Sequence, residues 1–159
     1  MNSSLKRGFE LSKQKFSEKI KYNNNISSNV YSKIMDTYKI IFPKSYIEYL
    51  CEFGFFRLND MMPTGIVDED KLLTTGLGWI ITRNSQLGVP KNIIQLDEIG
   101  DGSYYALDLS QMNDDEECPV VVWPVGGYDE TPELEIVAPD FGTWFLEQVE
   151  EQIRRHKNT

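Results

Sequence analysis

Residues 92–109, NIIQLDEIGDGSYYALDL, decide the fold. Two β-rich runs, 92–98 and 103–109, flank Gly100-Asp101-Gly102, and an Asp-Gly turn between such runs predicts an antiparallel hairpin. Downstream, Val120-Val121-Val122-Trp123 lies between Pro119 and Pro124 and reads as a buried strand, and 134–137 as another. Polar loops, 111–117 and 126–133, separate these runs. Asp140 is then placed to cap a last helix with Phe141, Trp144, Phe145, Val149 and Ile153 on one face. Arg154 and Arg155 suit its C-terminal end.

Upstream of the hairpin the period changes to that of helices. Ser3 and Ser4 are candidate caps for a helix running to about Ile20, with Leu5, Phe9, Phe16 and Ile20 along it and bases on its other face. Residues 1–28 read as a basic helix or arm and a loop ahead of the globular domain over 29–159, and the sequence leaves open whether that helix is loosely attached, packs on the domain or contacts a partner. A second helix is expected over 29–40, with Val30, Ile34, Tyr38 and Ile41 as its stripe. Pro43 opens a third helix with Ile47, Leu50 and Cys51 inward, and Gly54 closes it. Residues 55–58 and 62–67 each read as a short strand. Over 71–86 the apolar residues fit a helix, but Gly76 and Gly78 weaken it, and periodicity leaves the choice open. The sum is α+β: N-terminal helices, a mostly antiparallel sheet of about five to six strands, and a C-terminal helix packed on it.

Composition excludes much chemistry. The chain has 159 residues, 16 Lys+Arg against 25 Asp+Glu and a net charge of -9, so it repels nucleic-acid backbones. His156 is the sole histidine, which removes a Ser-His-Asp triad and the usual zinc sites. Cys51 and Cys118 cannot make a disulfide scaffold and are expected as free thiols in a reducing cytoplasm. No signal peptide is expected after Lys6-Arg7, and no apolar run approaches the ~18 residues of a membrane span. A calcium loop begun at Asp97 would put Ile99 at a ligand position, and no pair of acids has spacing that singles it out for catalysis. No catalytic residue, cofactor or metal is therefore expected.

The charge is uneven. Residues 1–21 hold six bases and two acids, whereas 92–153 hold 16 acids and no Lys or Arg. Such a half must present a negative surface, which serves solubility or forms a landing site for a basic partner.

Four short motifs, in order, resemble the SUKH superfamily (Smi/Knr-like domains). Phe42-Pro43-Lys44-Ser45-Tyr46-Ile47-Glu48-Tyr49-Leu50 with Phe53-Gly54 is similar to its "LP-x-s-Y-x-x-f-L … f-G" opening. Asp97-Glu98-Ile99-Gly100-Asp101-Gly102 with Tyr105-Ala106-Leu107-Asp108 resembles its central hairpin. Val120-Val121-Val122-Trp123 corresponds to its next strand, and 138–146 to its closing helix. The resemblance covers about 29–153, nearest to the bacterial YobK-like members; Phe42 stands where Leu is usual, and the basic arm lies outside it. It implies a helix over 72–85. It also implies a non-catalytic cytoplasmic immunity protein that binds the C-terminal domain of a cognate toxin, many such toxins being nucleases. A regulatory or scaffolding interaction domain is the alternative.

The partner is expected on loops, where side chains are not claimed by the core. The candidates are Asp101 and Tyr104 at the hairpin turn, Asp114, Asp115, Glu116 and Glu117 in the next loop, and Tyr128, Asp129, Glu130 and Glu133 in the last. They form one interface only if these loops share a side of the sheet. No nucleic acid and no membrane is expected as partner, and a homodimer stays open.

Overall fold

The computed structural model describes residues 1–23, 26–27, 29–124, 126 and 133–157. Helices α1 (Ser3–Phe16), α2 (Val30–Tyr38), α3 (Lys44–Phe53), α4 (Gly76–Gln86) and α5 (Phe141–Arg155) surround two sheets. Strands β3 (Ile93–Glu98), β4 (Tyr104–Asp108), β5 (Val120–Trp123) and β6 (Ile136–Ala138) form an antiparallel meander in the order β3-β4-β5-β6. β1 (Ile20–Tyr22) and β2 (Phe56–Leu58) pair antiparallel as a separate ribbon. The expected α+β architecture holds, with six strands divided four and two.

The hairpin forms in the register Glu98↔Tyr104 to Ile93↔Asp108, with a bulge between Gln95 and Asp97. One face of the sheet presents Ile94, Leu96, Leu107, Val120 and Ala138 to the main core. Helix α5 lies in that core and buries Phe141, Trp144, Phe145 and Val149 completely. Asp140 caps it as its position suggests, its Oδ1 accepting from the Thr143 amide at 2.7 Å.

Helix α1 is an integral layer and not a loose arm. Its cap is Asn2, whose Oδ1 accepts from Leu5 N, in place of Ser3 or Ser4. Leu5 and Ser12 are fully buried, and a Cβ on Gly8 would lie 2.8 Å from the Phe145 ring, so glycine lets α1 and α5 approach closely. The Phe9 ring centre lies 4.5 Å from that of Phe53, the rings tilted by 39°. The helix ends at Phe16, and Ile20, expected in it, pairs as a strand with Leu58.

Helix α3 is rotated from the expected stripe. Tyr46, Tyr49, Leu50 and Phe53 point inward at spacings of three, one and three, whereas Cys51 is exposed. Two tyrosines go inside because each hydroxyl finds a partner: Tyr46 donates to Thr64 O at 2.7 Å and Tyr49 to Pro63 O at 2.8 Å. Those bonds also explain why 62–67 is not a strand. Its backbone carbonyls serve tyrosines, and Thr64 N bonds singly to Leu96 O at 2.7 Å. Ile41, placed on the α2 stripe by periodicity, is 74% exposed because Lys39 takes a left-handed conformation and ends the helix first.

Residues 69–71 form a short 3-10 turn, and α4 starts at Gly76, later than the expected 72. The glycines that argued against a helix lie in its first turn. A Cβ on Gly78 would sit 2.8 Å from the Leu73 Cα, so the tight entry requires glycine there.

Leu5→Ala is expected to cost about 2–4 kcal/mol, the range for truncating a fully buried leucine, measured by denaturant unfolding. A detached arm would lose less than about 0.5 kcal/mol.

Candidate functional site

The meander decides which predicted contacts can meet. Tyr104 pairs with Trp123, so the 99–103 turn and the end of β5 lie at one end of the sheet. Leu107 pairs with Val120, which puts the 111–117 loop at the other end. Five residues of strand separate these ends by roughly 15 Å. The Asp101 turn and the 111–117 loop therefore do not form one contiguous cluster, because consecutive connections of an antiparallel meander alternate ends.

Asp101 is exposed at its turn and accepts from Ser103 N at 2.9 Å and from Ser103 Oγ. The Ser103 bonds hold its carboxyl below the ordinary range. At the far end Asp114, Asp115 and Glu116 are exposed. Asn113 folds that loop, its Oδ1 accepting from Asp115 N at 2.9 Å and Glu117 N at 3.0 Å. Glu117 turns inward instead: its two oxygens accept from Ser45 N and Ser45 Oγ, each at 2.6 Å. It thus supplies the N-terminal cap that Pro43 lacks on α3. Burial pushes the Glu117 carboxyl up, and the charges of Asp140 and Glu48 add to this. Glu133 is exposed near the start of β6, while Tyr128, Asp129 and Glu130 lie outside the described residues. Tyr104 is half-buried, not an exposed anchor.

The acids find few counter-ions. Among the described residues the ion pairs are Arg154 with Glu151, Arg155 with Glu151 and Arg155 with Asp60. Of the acids between 92 and 153 that are described, Glu151 alone is in an ion pair. The negative field is left for solvent or a partner. Sequence reasoning passed over Glu147 and Glu150 on α5, which with Tyr105, Trp144 and the paired Glu151, Arg154 and Arg155 line a cleft of about 460 Å³ beside β6. Burial pushes the Glu147 carboxyl up, and Glu150 and Asp140 push it further. The spacing of Glu147, Glu150 and Glu151 on one helix was the signal that could have found them.

Other chemistry has little to build on. Among the described residues no group of three or more His, Cys, Asp or Glu is placed to hold a metal ion. Cys118 is buried, and its thiol is pushed up to about 12 by that burial and by Glu117 and Asp108. No described helix is long and apolar enough to cross a membrane.

The family model SUKH_5, described as SMI1-KNR4 cell-wall, matches residues 10–150. The match begins inside α1, which agrees with that helix being part of the core. No curated protein matches the chain.

The neighbouring acids of one loop separate by role. Glu117→Ala is expected to destabilise by about 1–2 kcal/mol through loss of the α3 cap, and Asp114→Ala by less than about 0.5 kcal/mol, in parallel urea titrations.

Proposed function

The chain belongs to the SMI1-KNR4 (SUKH) family, and from that membership we propose that it is a cytoplasmic immunity protein: a non-catalytic module that binds and neutralises a cognate toxin domain, a nuclease in our reading. The observation that carries the proposal is the uncompensated acidic surface. A nuclease holds a phosphate backbone with basic side chains, and an acidic protein competes for that same surface. Asp114, Asp115 and Glu116 at one end of the sheet and Glu133 near the other are exposed, and none has a cationic partner among the described residues. Glu147 and Glu150 carry acids onto α5, at a cleft whose far end holds Arg154 and Arg155.

Two separated acidic ends suit a partner that spans the sheet. A standard interface of ~1,600 Å² reaches across ~15 Å of strand with ease. Long-range attraction between opposite fields raises the association rate above the ordinary ~10⁵–10⁶ M⁻¹s⁻¹, which matters when the target is lethal while free.

The test is co-expression with the candidate toxin domain, followed by association kinetics across ionic strength. Replacing Asp114 and Asp115 by Asn, and Glu116 and Glu133 by Gln, keeps size and leaves the Glu117 cap intact. The association rate is expected to fall about tenfold at low salt, with a flatter salt dependence and little change in dissociation. Equal rates for parent and variant at every ionic strength would assign the acids to solubility alone. Absence of rescue and of co-purification with any toxin domain would favour a regulatory or scaffolding role.

A further inference from the structure

The face of the sheet turned away from α5 carries a second, smaller apolar cluster: Ile93, Ala106, Val121 and Trp123. Between this face, the end of α4 and the 99–103 turn opens a cleft of about 580 Å³, within the size range of small-ligand sites. Arg83, Asn84, Gln95 and Tyr104 form its polar wall, and Leu87, Trp123 and Pro124 contribute apolar surface.

Arg83 is half-buried, and its hydrogen-bond partners among the described residues are neutral. Its Nη2 donates to Gln95 Oε1 at 3.0 Å and to Asn84 Oδ1 at 3.2 Å, and its Nε to Asn84 Oδ1 at 3.3 Å. The guanidinium also stacks 4.9 Å from the centre of the half-exposed Trp79 ring. Asn84 Nδ2 donates to Gln95 Oε1 at 3.1 Å, which locks both amides with their oxygens toward the arginine. The chain has 25 carboxylates, yet none of the described ones pairs with Arg83, although Arg154 and Arg155 both find one. Amide oxygens orient a guanidinium without neutralising it.

The second observation is the Tyr104 hydroxyl. It is buried and has no hydrogen-bond partner among the described residues, where buried hydroxyls nearly always have one. Burial pushes it up to about 12, against the opposing effect of the Arg83 charge, so at neutral pH it keeps its proton and can donate. Among the described residues, a cation in no ion pair and a hydroxyl donor with no acceptor thus belong to side chains lining one cleft. Glu98 lines the same cleft, and its negative charge opposes any anion there, a doubly charged one such as phosphate about twice as strongly as a single carboxylate.

We propose that this cleft binds a single carboxylate on a short apolar stem, with the Arg83 guanidinium and the Tyr104 hydroxyl as donors and Leu87 and Trp123 against the stem. The same chemistry is offered by an acidic side chain of a peptide and by a free monocarboxylic acid. The site does not depend on the acidic surface or on the immunity reading.

The test uses the intact chain and amide NMR titration with three probes: butyrate, N-acetyl-glutamate methylamide, and N-acetyl-glutamine methylamide as the uncharged control. Saturable shifts confined to Arg83, Gly102, Ser103, Tyr104 and Trp123 are expected for a carboxylate, with a Kd near 1 mM, about the scale of a fragment. The glutamine control is expected to bind at least about tenfold more weakly, and Tyr104→Phe to lose about tenfold, the worth of one hydrogen bond to a charged group. Tighter binding of the capped glutamate supports a peptide ligand, and tighter binding of butyrate supports a free acid. Tyr104→Phe should leave the Tm unchanged or higher, since the lost hydroxyl has no partner to abandon. Absence of saturable shifts, equal binding of acid and amide, or a Tm lowered by several degrees in Tyr104→Phe would each overturn the assignment.

Discussion

Tyr49 stands where three parts of the chain meet. Its ring centre lies 5.0 Å from Phe141 and 6.2 Å from Phe145 on α5, and 5.7 Å from its own neighbour Tyr46. Its hydroxyl accepts from Phe56 N at 3.0 Å and donates to Pro63 O at 2.8 Å. One fully buried side chain therefore ties α3 to α5 through its ring and fixes both β2 and the crossing segment through its oxygen. A hydroxyl in that position without both partners would cost about 1–3 kcal/mol, so the crossing cannot move while the ring stays inside. Phe53, Phe56 and Phe145 continue the seam toward Phe9 and so bring α1 into it.

The seam also sets the charge distribution. Because Leu5, Gly8 and Ser12 of α1 face α5, Lys6, Arg7, Lys13 and Lys15 are turned to solvent on that layer. Most acids of the C-terminal half occupy loops and the outer surface of α5, and among the described residues none is in an ion pair with those bases. Separation of this kind weakens internal compensation and strengthens the external field, which suits recognition of a charged partner at a distance. Arg83 departs from this separation: it sets a cation from α4 against the acidic half's sheet, hydrogen-bonded to the amides of Asn84 and Gln95.

The meander strands, the closing helix and its Asp140 cap were legible because each rests on local chemistry: an Asp-Gly turn, a Val run between prolines, an Asx cap before a period near 3.6. The α3 face was not. Hydropathy favours Ile47 and Cys51 over Tyr46 and Tyr49, and only the distant Pro63 and Thr64 carbonyls make the tyrosines the buried choice. The same limit hid the packing of α1, whose basic residues are conspicuous while its close approach to α5 needs a small residue at Gly8. At the candidate site the acids themselves were readable. That Glu117 is spent on Ser45, and that the loops alternate ends, depends on register and tertiary contact, which composition does not carry.

If the aromatic seam joins all layers, the molecule opens as one unit. Native-state hydrogen exchange measures this directly. The amides of α1 around Phe9 and Ser12, of β4 around Leu107 and of α5 around Val149 are expected to exchange with one common opening free energy, equal to that of global unfolding. Exchange of the α1 amides through a separate opening several kcal/mol below that of β4 and α5 would contradict the account, and would return the N-terminal helix to the status of an attached arm.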